Sequence, residues 1–246
     1  MGIMSNQFDK LTRLMSSNVQ LLEQAPKTLT DYVYGQLRED IIQGKLAPDS
    51  KLKIEHLRNE YNVGATPIRE ALSRLSSDGF VITEGQRGFR VSPTSLQDLA
   101  DVTELRITLE LKALENSILH GGDEWESRVV ATYYQLSKTE ELNLFEHLEL
   151  WEQRNHDFHW ALISACTSKW LLHFYNILYD QHKRYRNISL VANLGNRDVH
   201  VEHKRIYEAA IARDVQTVCR ETEAHIRLTA AITHQVLVEL HNNSIL

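Results

Sequence analysis

Apolar residues recur at helical spacing along most of this chain, and the interruptions show where its character changes. Ile68, Ala71, Leu72 and Leu75 fall at i, i+3, i+4 and i+7, one face of a helix. Pro67 suits the first turn of that helix, and Thr66 just before it can cap free backbone N–H groups. Arg69 and Arg74 point off the apolar face. Upstream, Ile54 to Glu60 reads as a second short helix, with Tyr61-Asn62-Val63-Gly64 as the turn between them. A longer helix precedes it, capped by Thr30 or Asp31, carrying Val33, Leu37 and Ile41 inward and closed by Gly44. Downstream, Asp78-Gly79 ends the third helix. Phe80–Thr83 and Gly88–Val91 are then two β-rich runs around Glu84-Gly85-Gln86-Arg87, a hairpin with a basic tip. Helix, turn, helix with outward arginines, then a hairpin, predicts a winged helix-turn-helix that reads DNA.

Ser92-Pro93-Thr94-Ser95 is a short linker with a cap signal, and beyond it the pattern is helical throughout. Helices are expected at about 96–120, 123–140, 144–165, 168–190, 197–213 and 215–240, with no β-alternating run competing. Short connections between them predict an antiparallel bundle. The fold class is therefore mainly α: an N-terminal winged helix-turn-helix of three helices plus a β-hairpin wing, followed by an antiparallel six-helix bundle. The domain boundaries read as an N-terminal arm at 1–26, the winged domain at 27–92 and the helical domain at 96–240. Leu11, Leu14, Met15, Leu21 and Leu22 give the arm apolar positions that could pack on a partner.

Net charge is −6, an unexpected sign for a DNA binder. The imbalance lies in the second half: residues 27–95 hold 10 Lys/Arg against 9 Asp/Glu, whereas residues 96–246 hold 15 against 22. A near-neutral head predicts weak, salt-dependent non-specific DNA affinity. The two cysteines, Cys166 and Cys219, form no CxxC pair, which argues against a disulfide framework or thiolate zinc site and fits a reducing cytoplasm. No apolar run approaches the ~20 residues of a membrane span, and Met1 to Ala25 lacks the order of a signal peptide.

Among 12 histidines, three stand out. His159 follows Asn155 by four residues, on the same helical face. His203 and His225 lie on the next two helices, expected to run antiparallel. Spacing alone leaves two readings open: satisfied core or surface histidines, or three imidazoles facing one another as a metal site. His120, His147, His173, His182, His234 and His241 carry no spacing signal and read as surface or interfacial residues.

Ile42-Gln43-Gly44-Lys45-Leu46-Ala47-Pro48, Leu52, Leu57, Thr66-Pro67-Ile68-Arg69-Glu70-Ala71-Leu72, Leu75, Asp78-Gly79-Phe80, Gly88 and Val91 resemble the DNA-binding domain of GntR-family transcriptional regulators. Asp49 stands where many relatives have Gly, and Gly64-Ala65 where they commonly have Ser-Arg. The absent arginine is the family's usual base-reading residue. Leu105-Arg106, Glu110, Phe158-His159, His203, Ala210-Ile211, Arg213-Asp214 and His225 resemble the FCD ligand-binding domain of the FadR-type branch. The resemblance implies a ligand-responsive, dimeric repressor acting on an operator in double-stranded DNA, and not an enzyme. On that reading Arg69 contacts bases or phosphates, while Thr66, Arg74, Lys53, Arg58 and Arg87 grip phosphates.

The same resemblance implies a divalent metal held by Asn155, His159, His203 and His225. Asn155 takes the place of the family's Asp, so it offers an amide oxygen without the charge. Zn is the expected ion, with Ni, Mn or Fe as alternatives. The resemblance further implies an organic acid at the open metal positions, with Arg106, Arg184 or Arg186 as its cationic partner and Glu110 as a structural neighbour of Arg106. Gly121-Gly122-Asp123-Glu124-Trp125-Glu126 is similar to glutarate-responsive members of the branch and implies a short dicarboxylate. Two rivals use the same histidines: a metal-dependent hydrolase, disfavoured because no HExxH motif is present, and a sensor of the metal itself.

Overall fold

The computed structural model describes residues 28–85, 88–142, 146–192 and 197–243. The expected arm at 1–26 and the wing residue Arg87 lie outside the described residues. The chain divides into two compact units, Met1–Asp40 with Asp49–Ser92, and Ile41–Pro48 with Pro93–Leu246. One division falls after Ser92, and 41–48 groups with the second unit although it interrupts the first in sequence.

The first unit contains α1 (Leu29–Ile42, whose last two residues belong with the second unit), β1 (Lys51–Leu52), α2 (Ile54–Tyr61), α3 (Ala65–Ser77), β2 (Val81–Thr83) and β3 (Phe89–Val91). Val33, Leu37, Leu57, Ile68, Ala71, Leu72, Leu75 and Phe80 bury its core. The wing is more than the expected hairpin. β3 pairs antiparallel with β2, and also with β1, which no local pattern announces (Lys51 opposite Arg90, Leu52 opposite Phe89).

Two caps differ from expectation. α1 is capped by Thr28, whose Oγ1 accepts from the Asp31 N–H at 3.0 Å and donates to the Asp31 carboxylate at 2.9 Å. At α3 the extended residue is Gly64, with no side-chain cap, so Thr66 already lies inside the helix. Asp49 has φ 62°, a left-handed conformation that glycine adopts freely and Asp tolerates better than most residues. That is the physical reason a glycine suits this turn.

The second unit is a bundle of α4 (Leu96–His120), α5 (Asp123–Glu140), α6 (Leu148–Ile163), α7 (Lys169–Ala192), α8 (Val199–Ile211) and α9 (Val215–Asn243). Ser95 caps α4 through the Asp98 N–H at 3.1 Å, and Asp198 and Asp214 cap α8 and α9 in the same way. α4 packs on α6, α7 and α9; α5 on α6 and α8; and α9 on α7 and α8. Leu114, Trp125, Val129, Leu136, Phe158, Leu162, Tyr175, Tyr179, Ile206 and Val218 belong to the core these helices enclose.

The Gly121–Glu126 segment is built into the frame. A β-carbon at Gly121 would meet the Trp125 ring at 2.6 Å and the Ser117 carbonyl at 2.7 Å. The Trp125 indole donates to the Leu162 carbonyl, and Arg213 donates to the Ile118 and Gly121 carbonyls while stacking 4.6 Å from the Trp125 ring. These contacts account for Gly121 and Trp125 as packing residues.

Candidate functional site

His159 on α6, His203 on α8 and His225 on α9 converge. Each offers one ligand atom, and these atoms all lie within 4.8 Å of one another. The rings are 4.8–5.5 Å apart between centroids, and none is more than 7% exposed. A glutamate backs every ring. His159 Nδ1 meets Glu110 Oε1 at 3.3 Å, His203 Nδ1 meets Glu140 Oε1 at 2.6 Å, and His225 Nδ1 meets Glu202 Oε2 at 2.8 Å. A carboxylate at Nδ1 fixes the tautomer with the proton there and leaves the Nε2 lone pair for a metal. Nε2 of His159 and of His203 is buried without a hydrogen-bond partner, an arrangement that is costly unless another group takes the lone pair.

Asn155 lies one turn before His159 and is 1% exposed. Its Nδ2 donates to the Tyr179 hydroxyl at 3.1 Å, while its Oδ1 has no hydrogen-bond partner. Two imidazole nitrogens and an amide oxygen, all buried and all lacking partners, suit a borderline divalent ion.

Burial favours the neutral form of His159 and of His225. It pulls His159 down to about 4 against the opposing pull of Glu110, and it holds His225 well below the usual histidine range, with His203 and His159 adding repulsion. His182 is likewise lowered by burial and then by Arg106. Each therefore binds a proton more readily in the unfolded chain. In chelator, the bundle is expected to be most stable above about pH 6.5 and to lose stability as pH falls toward 4, by about 1.4 kcal/mol per pH unit for each such imidazole. Urea titrations between pH 7 and 4.5 check this, and a stability that stays flat over that window refutes it.

Arg106 on α4 is 3% exposed and already engaged. Its Nε donates to Glu110 Oε2 at 2.9 Å, a terminal nitrogen lies 2.9 Å from His182 Nδ1, and its guanidinium stacks 4.7 Å from the Tyr179 ring. Glu110 thus joins Arg106 to His159, as the structural neighbour the sequence suggests. To accept from Arg106, His182 must carry its proton on Nε2, which is buried without a partner. Arg186 donates to Glu152 Oε2 at 2.5 Å and to the Tyr179 hydroxyl.

Arg184 is placed differently from its expected role. Burial lowers its pKa, Asp98 and the Tyr185 side chain are near it, and it lines a separate cavity of about 980 Å³ with Ser95, Leu96, Asn187 and Leu237. A second cavity, of about 620 Å³, is lined by Arg197, Glu202, Arg205, Glu221 and His225, and so reaches one of the three histidines.

In the first unit, Arg69, Thr66 and Lys53 are exposed. Thr66, Arg69 and Ser73 form the outward stripe of α3, opposite Ile68, Leu72 and Leu75. Arg69 and Lys53 have no ion-pair partner among the described residues. Two other expected phosphate contacts are less available. Arg74 pairs with Asp31 at 3.0 Å and stacks 3.9 Å from the Tyr34 ring, and Arg58 pairs with Glu55 at 2.7 Å.

Residues 29–91 match the family described as bacterial regulatory proteins, gntR family, and residues 101–228 match the FCD domain. The HTH-type transcriptional regulator BphR of Paraburkholderia xenovorans (strain LB400) is 42% identical, over 85% of this chain and 86% of its own length. The chain belongs to the GntR family. Within it, the HTH-type transcriptional repressor GlaR of Escherichia coli (strain K12) is 34% identical, over 83% of this chain and 95% of its own. The structure of E. coli McbR/YncC superimposes with a TM-score of 0.72 at 20% identity, covering 85% of this chain and 98% of that one. This GntR-family chain is a DNA-binding transcriptional regulator with an FCD ligand-binding domain. Among the described residues, no helix is long and apolar enough to cross a membrane.

Proposed function

We propose that this GntR-family chain is a dimeric repressor in the cytoplasm whose helical unit takes up a divalent metal and a small organic acid, and that the acid modulates its hold on an operator. The observation that carries this reading is the convergence of three buried imidazoles, each backed by a glutamate. His159, His203 and His225 would hold the ion, with Asn155 Oδ1 completing the protein's donor set. Zn suits three neutral imidazoles; Ni, Mn and Fe are accepted by the same donors. A bound ion supplies a cationic anchor for a carboxylate. Arg106 would carry positive charge to the acid, and the His182 Nε2–H would give it a donor. Arg184, in its separate cavity, would not touch that acid. A short dicarboxylate is the preferred class, on the likeness of the Gly121–Glu126 segment alone.

On the DNA side, Arg69 would read bases or phosphates, with Thr66 and Lys53 beside it. Arg74, Arg58 and Arg87 are secondary phosphate contacts. A dimer would set two recognition helices in successive major grooves of a pseudo-palindrome. Gel shift on the chain's own promoter tests the whole reading. Wild type shifts the DNA, and a small acid changes the shift only when metal is present. Release by chelator alone would favour the metal-sensor alternative, and turnover of an ester or amide would favour the hydrolase. Arg69→Ala is expected to weaken operator binding by about 1–3 kcal/mol. An unchanged operator affinity would remove Arg69 from the interface.

A further inference from the structure

We infer that Thr66 is a base reader: its methyl group, with Ala65 and the Pro67 ring beside it, takes the C5-methyl of a thymine, so each half-site of the operator carries a required thymine there. This rests on the reading of α3 as the helix that enters the major groove, and it names what the start of that helix recognises. The N-terminal residues of a recognition helix are the ones that meet base edges, and the first turn of α3 runs from Ala65 to Ile68. Ile68 is buried in the core. Thr66 is exposed, and Ala65 and Pro67, half-buried, flank it. Gly64 before them has no side chain, and a β-carbon there would meet nothing closer than the Pro67 Cδ at 3.9 Å. The end of the helix is therefore slim and can come close to the floor of the groove. What it brings there is mostly hydrocarbon: the Ala65 methyl, the Pro67 ring, and the methyl of Thr66 beside its hydroxyl.

Hydrogen-bonding readers are scarce on the rest of the helix. A bidentate grip on adenine needs Asn or Gln, and α3 has neither. Glu70 accepts from the Thr30 hydroxyl at 2.8 Å, and Arg74 is held by Asp31 and the Tyr34 ring. Arg69 is the cation left on α3 to read guanine or to hold a phosphate, and it sits three residues beyond Thr66. The thymine methyl is the major-groove feature read by apolar contact, and the methyl groups of Ala and Thr are side-chain atoms suited to it. A phosphate contact at Thr66 would need the hydroxyl and leave the methyl idle. Thymine readout needs the methyl and can dispense with the hydroxyl, so the two roles make opposite demands on one side chain.

The experiment starts from DNA duplexes that the full-length protein selects out of a random library. Each thymine of the selected half-site is then replaced in turn by deoxyuridine, which removes the C5-methyl and leaves the base pairing intact. Fluorescence anisotropy gives affinities for wild type, Thr66→Ser, Thr66→Val and Arg69→Ala. At one thymine position, deoxyuridine is expected to weaken wild-type binding by about fourfold per half-site, the worth of one buried methyl group. Thr66→Ser, which keeps the hydroxyl, loses a similar factor on the thymine duplex and most of its sensitivity to deoxyuridine. Thr66→Val, which keeps the methyl, stays sensitive. Wild-type binding indifferent to deoxyuridine at every position overturns the inference, as does sensitivity undiminished in Thr66→Ser or lost in Thr66→Val; in each case a weakened Arg69→Ala leaves α3 as the reading helix. Selection of no duplex at all, or wild-type affinity in both Arg69→Ala and Thr66→Ser, overturns the reading of α3 itself.

Discussion

Arg106→Ala is expected to cost the helical unit about 3–5 kcal/mol and to abolish its response to acid. The first effect follows from Glu110. Its side chain is 2% exposed, and it would be left as a buried carboxylate without its cation, the situation in which breaking a buried pair is most damaging. Glu110 also positions His159, so the loss spreads to the imidazole cluster. The stability and the acid response can be separated. A double variant, Arg106→Met with Glu110→Gln, removes both charges together, keeps an amide oxygen for the His159 Nδ1–H, and is expected to recover most of the stability. It should retain metal and still ignore acid. Urea unfolding in chelator and thermal shift with metal, with and without glutarate, read the two effects. Arg106→Ala unfolding within about 1 kcal/mol of wild type would mean the pair is not desolvated as described. A double variant with full acid response would take Arg106 out of the acid's reach.

How much of this is legible in the sequence depends on the range of the signal. α4 and α5 begin and end where local punctuation puts them, because Ser95, Gly121 and Gly122 act within one turn of each helix end. β1 leaves no trace, since a two-residue strand has no alternation and exists only through its pairing with β3, some 40 residues later. The three histidines are found by their spacing and by likeness. Their supporting glutamates are not all found, since Glu110, Glu140 and Glu202 sit 49, 63 and 23 residues from their partners on other elements. His182 is within reach. Tyr175, Tyr179, His182 and Arg186 step by four, three and four along one face of α7, and all four are buried. The same periodicity prefers Arg186 to Arg184, because two residues along a helix turn a side chain to the opposite side. Arg74 shows the complementary limit. Its outward position on α3 follows from the pattern, but the Asp31 and Tyr34 that hold it come from another helix.

His203→Ala is expected to reduce bound metal from about one ion per chain to none, and with it the thermal response to chelator. With two imidazoles and an uncharged amide remaining, the site has neither the ligand number nor the charge to hold a borderline ion against water and buffer. In wild type, metal at a thousandfold excess over its dissociation constant stabilises the folded state by about 4 kcal/mol, so chelator should lower the melting temperature clearly. In the variant, the chelated and metal-loaded proteins should melt together. The comparison of each protein with itself matters, because His203 is also a packing residue: it is fully buried against Phe158 and is the 2.6 Å partner of Glu140. Truncating it opens a cavity and leaves Glu140 with only His200, so both forms of the variant start from a lower baseline. That loss would follow from any buried residue. The vanished difference between chelated and loaded protein would not, because it requires the imidazole to ligate. Elemental analysis of the purified chain gives the decisive number: a His203→Ala protein that still carries one tightly held ion would move the metal centre away from these three helices altogether.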